Sequence, residues 1–238
     1  MRPTFVLVHG AFAESASWDA VIDPLLGADH AVIAAANPLR GLGSDAAAVS
    51  DVVRSIEGPV VLVAHSYGGA VNSNVDPAAG DIVGLVYLNA FAPDAGETAF
   101  DLAGKFPGSM LGEETLQAVP LGNGGTDLYI RHERFHEVFC ADLPAPQAAR
   151  MAVTQRPATQ EGLVEPSGER PLWKELPSWF LIGEKDLIIP AALQHFMAER
   201  AGARRVLEIP DASHAVAVSH PRETAELILH AAAVPAAA

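Results

Sequence analysis

The sequence predicts an α/β protein in which a mostly parallel, doubly wound sheet of about six strands carries helices on both faces. Three observations support this. Short β-branched apolar runs alternate with stretches of helical periodicity, as they do in a parallel sheet. The residues able to do chemistry stand immediately after those runs, where open α/β sheets bind their ligands. The chain has 238 residues, half of them apolar, which suits one large domain with a sizeable core.

Phe5, Val6, Leu7 and Val8 form the first strand run, which ends at His9-Gly10-Ala11-Phe12. Trp18, Val21, Ile22, Leu25 and Leu26 follow at helical spacing. Residues 31–36 (AVIAAA) read as a second strand, closed by the turn-rich NPLRGLGSD, and Ser44 or Asp45 could cap a helix running to about residue 57. Val60, Val61, Leu62 and Val63 make a third, doubly buried strand after Gly58-Pro59. A fourth, residues 82–88 (IVGLVYL), ends at Asn89.

From residue 94 to about 176 strand-like runs give way to Gly, Pro and short helical patches, which predicts a helical lid inserted into a core made of residues 1–93 and 177–238. Strand order resumes at Trp179, Phe180, Leu181 and Ile182, followed by a helix over 191–201, a last strand over 205–209 and a helix from 221 to about 233. The closing AAAVPAAA reads as a frayed tail.

The third run breaks off at Ala64-His65-Ser66-Tyr67-Gly68-Gly69, so Ser66 falls where a strand turns sharply into a helix. A strained turn of this kind needs small residues two before and two after the serine, and Ala64 and Gly68 supply them. Such a turn exposes the hydroxyl above the sheet, at a helix N-terminus that favours negative charge. Asp186 follows the fifth strand run and His214 the sixth. A serine, an acid and a histidine therefore each stand at a strand end, in the order Ser, Asp, His. Asp211 is a rival acid, but it would share one short loop with His214.

A net charge of −14 argues against nucleic acid and anionic membrane surfaces as partners. No apolar run approaches the ~20 residues that span a bilayer. The single cysteine, Cys140, excludes an internal disulfide and fits a reducing cytoplasm, and it reads as a small buried hydrophobe. One competing motif stands in the insertion: His132-Glu133-Arg134-Phe135-His136 matches H-E-x-x-H, in which two histidines hold zinc and the Glu activates water. No third ligand is singled out by spacing, and the motif lies away from every strand end. The expectation is a solvated helix face and no metal or other cofactor.

With these residues in view, the chain resembles the α/β-hydrolase fold over nearly its whole length. The HGA start with Trp18, the AHSYGG elbow and the compact core are most similar to the plant methylesterase and hydroxynitrile lyase branch and its bacterial esterase relatives. The resemblance implies Ser66 as nucleophile, His214 as general base and acid, and Asp186 as the residue orienting the imidazole. It also implies an oxyanion hole from the backbone N–H of Tyr67 and that of Ala11 or Phe12. His9 becomes a brace for its loop and His65 a polar filler, while His30, His195 and His230 read as surface residues and His220 as a helix boundary. The lyase branch carries a Thr after the first-strand His and a Lys after the catalytic His; here Gly10 and Ala215 stand there, which departs from cyanohydrin chemistry.

These readings give a serine hydrolase acting on a small-to-medium carboxylic ester or lactone. A ligand-binding protein on the same fold, or another reaction on the same residues such as carbon–carbon cleavage, perhydrolysis or lysis, is the alternative. Phe91, Phe100, Phe106, Phe135 and Phe139 are the candidates for an apolar pocket over Ser66.

Overall fold

The computed structural model describes residues 1–122 and 124–233; the end of the AAAVPAAA tail lies outside the described residues. In chain order it runs β1 (Thr4–Val8), a short 3-10 turn, α1 (Asp19–Gly27), β2 (Val32–Ala35), α2 (Leu42–Arg54), β3 (Pro59–Ser66), α3 (Tyr67–Ser73) and β4 (Asp81–Ala90). An insertion follows with α4 (Ala99–Ala103), β5 (Leu116–Pro120), β6 (Thr126–Ile130), α5 (His132–Phe139), α6 (Ala145–Thr154), β7 (Ala158–Thr159) and α7 (Gln160–Val164). The chain closes with β8 (Ser178–Gly183), α8 (Ala191–Arg200), β9 (Arg205–Ile209), α9 (Val216–Ser219) and α10 (Pro221–Ala233).

The main sheet has six strands in the order β2-β1-β3-β4-β8-β9, and every neighbouring pair is parallel. Its four central strands, β1, β3, β4 and β8, are buried on both faces, which is why they read as nearly unbroken apolar runs, while the edge strands β2 and β9 are partly exposed. Alternation sorts them into two clusters. Val6, Val8, Val60, Leu62, Leu85, Tyr87 and Phe180 face one way; Phe5, Leu7, Val61, Val63, Val86, Leu88, Trp179 and Leu181 face the other. The first cluster continues into α2, α3, α8 and the insertion through Val49, Val71, Leu193, Leu128 and Phe135. The second is covered by α1 and α10 through Val21, Leu25, Leu227 and Ile228. Each such fully buried aliphatic side chain is worth ~1.5–3 kcal/mol relative to exposure.

Two expectations change. The insertion is not purely helical, because β5, β6 and β7 form a small antiparallel sheet in that spatial order. Leu128 and Ile130 on β6 are buried, so pairing and burial override the weak local pattern that reads as helix. The insertion is nevertheless no separate core, since its apolar residues join the first cluster. The second change is at α2, which starts at Leu42 after Gly41 with no side-chain cap on its first residue. Asp45 lies inside the first turns, and its carboxylate reaches back to accept the Arg40 and Gly41 N–H groups. No helix among the described residues is long and apolar enough to cross a membrane.

Candidate active site

Ser66 is the last residue of β3, and its φ of 55° puts it in the left-handed region that a side chain adopts only under constraint. Backbone packing supplies that constraint. A Cβ on Gly68 would sit 2.4 Å from the Val8 carbonyl oxygen, and one on Gly10 would sit 2.5 Å from the Ser66 Cβ. The loop after β1 is thereby pressed against the serine, and neither position admits a larger residue. Tyr67 opens α3, so its N–H has no intrahelical partner. Its phenol donates to the buried Asp45 carboxylate at 3.0 Å, which fixes the first turn of the helix from the side.

The structure brings His214 and Asp186 to this serine. His214 Nε2 lies 2.9 Å from Ser66 Oγ, and His214 Nδ1 lies 2.8 Å from Asp186 Oδ2. All three residues are at most 4% exposed. With the carboxylate accepting, Nδ1 carries the ring proton and Nε2 is left to accept from the serine hydroxyl. Asp186 is held in turn by the N–H groups of Ile188 and Ile189 on Oδ1, at 2.8 and 2.9 Å, and by Gln194 Nε2 on Oδ2 at 3.1 Å. Its rotamer is fixed from three sides. The rival Asp211 has a side chain 74% exposed and stands 3.5 Å from His220 instead.

Three supporting residues escape a reading of the sequence. Asn89, at the end of β4 with φ 43°, accepts the Gly183 N–H on Oδ1 at 2.6 Å. Its Nδ2 donates to the carbonyls of Ser213 and His214 at 2.8 and 3.2 Å, so one amide ties the loop leading to Asp186 to the turn carrying His214. Asn89 occupies a strand end like the other site residues, and that position was the available signal. His65 is more than a filler: its Nε2 donates to the His214 carbonyl at 2.9 Å. Burial, and then the neighbouring His214 ring, hold its pKa well below the ordinary histidine value. Gln194 sits one turn into α8, and nothing local marks it.

His9 braces its loop as expected. Nδ1 donates to the Gly10 carbonyl at 2.9 Å, and Nε2 accepts the Asn37 N–H at 3.2 Å, an arrangement open only to the neutral ring. Burial, with Arg156 nearby, lowers its pKa to about 4. Phe12, one of two alternatives for a loop N–H facing the serine, is corrected: its N–H donates to the Arg156 carbonyl at 3.0 Å and is engaged. Ala11 N–H has no such partner among the described residues.

The five pocket candidates separate. Phe139 presents its ring edge to His214, centroids 4.9 Å apart, and lines a small apolar cavity with His65 and Met151. Phe135 stacks behind Phe139 and is fully buried, while Phe91 is buried in the core. Phe100 and Phe106 line a different cleft with Pro107 and Leu111, and Phe100 is 53% exposed. That cleft shares no residue with the cavity at Phe139. A second cleft, of about 200 Å³, runs beside the first along Phe12, Ala13, Ser17, Met151 and Val218, with Arg150 and Gln147 on it.

The H-E-x-x-H histidines do lie on a helix, where His136 Nε2 donates to the Leu143 carbonyl at 2.8 Å. Among the described residues, the three side chains with ligand atoms gathered within 4.8 Å are Glu184, His195 and Glu208, on a partly exposed surface.

A six-stranded parallel sheet with a serine elbow at one strand end, and a histidine and an acid at two others, defines a class of α/β protein that sets one hydroxyl against an imidazole. The chain matches the alpha/beta hydrolase family model over residues 5–227 and belongs to that family. It is 32% identical to a pyrethroid hydrolase of Sphingobium wenxiniae, over 97% of this chain and 88% of the relative. It is 27% identical to putative methylesterase 19 of Arabidopsis thaliana, over 97% and 98% of the two chains. The fold superposes on that of polyneuridine aldehyde esterase with a TM-score of 0.80 at 23% identity, covering 97% of this chain and 99% of the other. The resemblance to plant methylesterases and bacterial hydrolases noted from the motifs therefore stands.

Proposed function

We propose that the protein hydrolyses a small-to-medium carboxylic ester or lactone through an acyl-enzyme on Ser66. The observation that carries this reading is the continuous hydrogen-bonded line from Ser66 Oγ through His214 to Asp186, at 2.9 and 2.8 Å. Relatives named as a pyrethroid hydrolase and a methylesterase support ester cleavage as the reaction type.

His214 Nε2 takes the Ser66 proton as Oγ attacks the ester carbonyl, and the resulting imidazolium returns that proton to the departing alkoxide. Asp186 holds the ring in the tautomer this requires. The N–H groups of Tyr67 and Ala11 receive the negative charge that forms on the carbonyl oxygen; a donor of this kind is worth ~3–4 kcal/mol in the transition state. Water then attacks the acyl group, with His214 again taking a proton; the bond to Ser66 Oγ breaks, the imidazolium returns the proton to Oγ, and the acid is released. Chemistry of this kind needs no cofactor, because the serine and the backbone donors supply both nucleophile and electrophile stabilisation. The partner is a small-molecule substrate, and Phe139, against the His214 ring, with Met151 lines the apolar cavity beside it.

Ser66→Ala, assayed on a panel of esters varied in acyl and alcohol size, should lose ~10⁴–10⁶-fold in kcat while remaining folded. Wild-type protein should be labelled stoichiometrically by a fluorophosphonate probe. A folded variant keeping more than about a tenth of the activity, or wild-type protein that resists the probe, sinks the mechanism.

A further inference from the structure

His214 lies in an irregular turn between β9 and α9, outside any ladder of regular hydrogen bonds, so its placement depends on what grips that turn. The carbonyls are held from the core, by Asn89 on Ser213 and His214 and by His65 on His214. The donors are held from the insertion. Asp142 Oδ2 accepts the Ser213 N–H at 3.0 Å, Asp142 Oδ1 accepts the Ser213 hydroxyl, and the Phe139 carbonyl accepts the Ala215 N–H at 3.0 Å. The residues on both sides of the histidine are thus tied to one short stretch, 139–142, whose Phe139 ring also rests edge-on against the imidazole.

The surroundings of Asp142 indicate what the carboxylate is for. Its side chain is only 15% exposed, although it stands in a surface turn. The side chains that hydrogen-bond or ion-pair with it among the described residues, Ser213 and His220, both belong to the segment carrying His214. Burial would raise its pKa, but hydrogen bonding, led by the Ser213 hydroxyl and N–H, outweighs burial and holds it below the ordinary carboxylate value.

We propose that Asp142 is a positioning residue for His214: from the insertion it sets the turn that carries the base, so the imidazole meets Ser66 correctly only while residues 139–142 are seated. The proposal rests on the reading of Ser66 and His214 as nucleophile and base. Asp142 touches neither substrate nor the reacting atoms and acts through Ser213. Removing it leaves the buried Ser213 N–H without an acceptor and the Ser213 hydroxyl with only the Phe139 carbonyl at 3.5 Å, which loosens the turn, and small misplacements of a reacting group are costly.

The test uses the full chain and four variants, Ser66→Ala, Asp142→Ala, Asp142→Asn and Ser213→Ala, each measured for kcat, KM, fluorophosphonate labelling rate and melting temperature. Asp142→Ala should lower kcat and the labelling rate together by ~10–100-fold, with KM within about threefold of wild type. Asp142→Asn, of the same shape and still able to accept the Ser213 N–H, should restore kcat to within about fivefold. Ser213→Ala, which keeps the N–H bond and loses only the hydroxyl, should cost kcat ~3–10-fold and decides the matter if Asp142→Ala does not fold. A rise in KM at constant kcat would mean a pocket role and overturn the proposal, as would a lower melting temperature with kcat unchanged. If Ser66→Ala is inactive and all three other variants match wild type, this proposal alone fails. If Ser66→Ala is active, the catalytic reading itself fails.

Discussion

The strand ends of the main sheet and the insertion between β4 and β8 meet around the same histidine but are built by opposite rules. Ser66 and Asp186 stand on or just after buried parallel strands, and their positions follow from period, burial and backbone contact. The insertion is assembled from short helices and a small antiparallel sheet, and it reaches the site through the turn at 139–142 and the Phe139 ring. On the proposed reading, the sheet fixes where chemistry happens, and the insertion completes its geometry and walls. Substitutions in the first region should therefore act on rate in large steps, and those in the second in smaller, more selective ones.

The largest effect beyond Ser66 itself should come from Asp186→Asn, which reverses the tautomer offered to Ser66 and should lower kcat on the best ester ~10²–10⁴-fold. Asp211→Asn should stay within about threefold, because Asp211 is exposed and paired to His220. If Asp211→Asn is instead the crippling change, the acid must be reassigned.

Next comes Asn89→Ala. The substitution strips one amide that serves both the loop leading to Asp186 and the His214 turn, and it leaves the Gly183 N–H without its acceptor. Denaturant melts should show a loss of about 2–4 kcal/mol, and kcat should fall ~10-fold or more. An Asn89→Ala variant as stable as wild type would show that the core grip on this turn is dispensable.

A third expectation concerns acid. His9 has a folded pKa of about 4 against 6.5 for the free side chain, so as pH falls the unfolded chain takes up the proton first. Stability is then lost progressively below pH 6.5 and levels off near 4, by about 3 kcal/mol for this residue. Buried His65 adds in the same direction. Urea midpoints measured from pH 7 to 4.5 check this, and a His9→Asn variant should show a shallower fall; an unchanged slope would remove His9 as its cause.

The smallest effect belongs to the outer part of the insertion. Phe100→Ala and Phe106→Ala should each leave kcat/KM within about twofold, since their cleft shares no residue with the cavity at Phe139. A larger change would join the two cavities functionally and blur the division drawn above.

The sheet and its strand-end residues were legible because parallel strands buried on both faces leave unbroken apolar runs, and chemistry in such folds collects where the runs stop. Val60 to Leu62 and the break at Ser66 are the clearest instance. The insertion's strands were not legible, because β5 ends in Pro120 and exposes Gln117 and Ala118, so its pattern is too weak to compete with a helical reading. The Gly122-Asn123-Gly124-Gly125 run ahead of β6 was the turn signal to weigh against it. Phe12 was a reasonable alternative to Ala11 because backbone donors leave no mark in a sequence; only the bond to Arg156 separates them. Asn89, Gln194 and Asp142 were hidden for a related reason: their partners lie 94, 8 and 71 positions away in the chain.

The two strands that flank the insertion, β4 and β8, are direct neighbours in the sheet. Because they pair in parallel, the chain leaves at the carboxyl end of β4 and crosses back to the amino end of β8, and beyond the length of that crossover a longer excursion costs only ~0.6 kcal/mol per doubling. This makes the excursion a natural place for grafting: a foreign segment could be spliced between residues 93 and 177 to admit other ligands without disturbing the strands. A transplanted segment would still have to offer acceptors for the Ser213 and Ala215 N–H groups, as Asp142 and Phe139 do here. Exchange of specificity on this scaffold is therefore a matter of matching that seam together with the apolar face by which the insertion joins the core of the sheet.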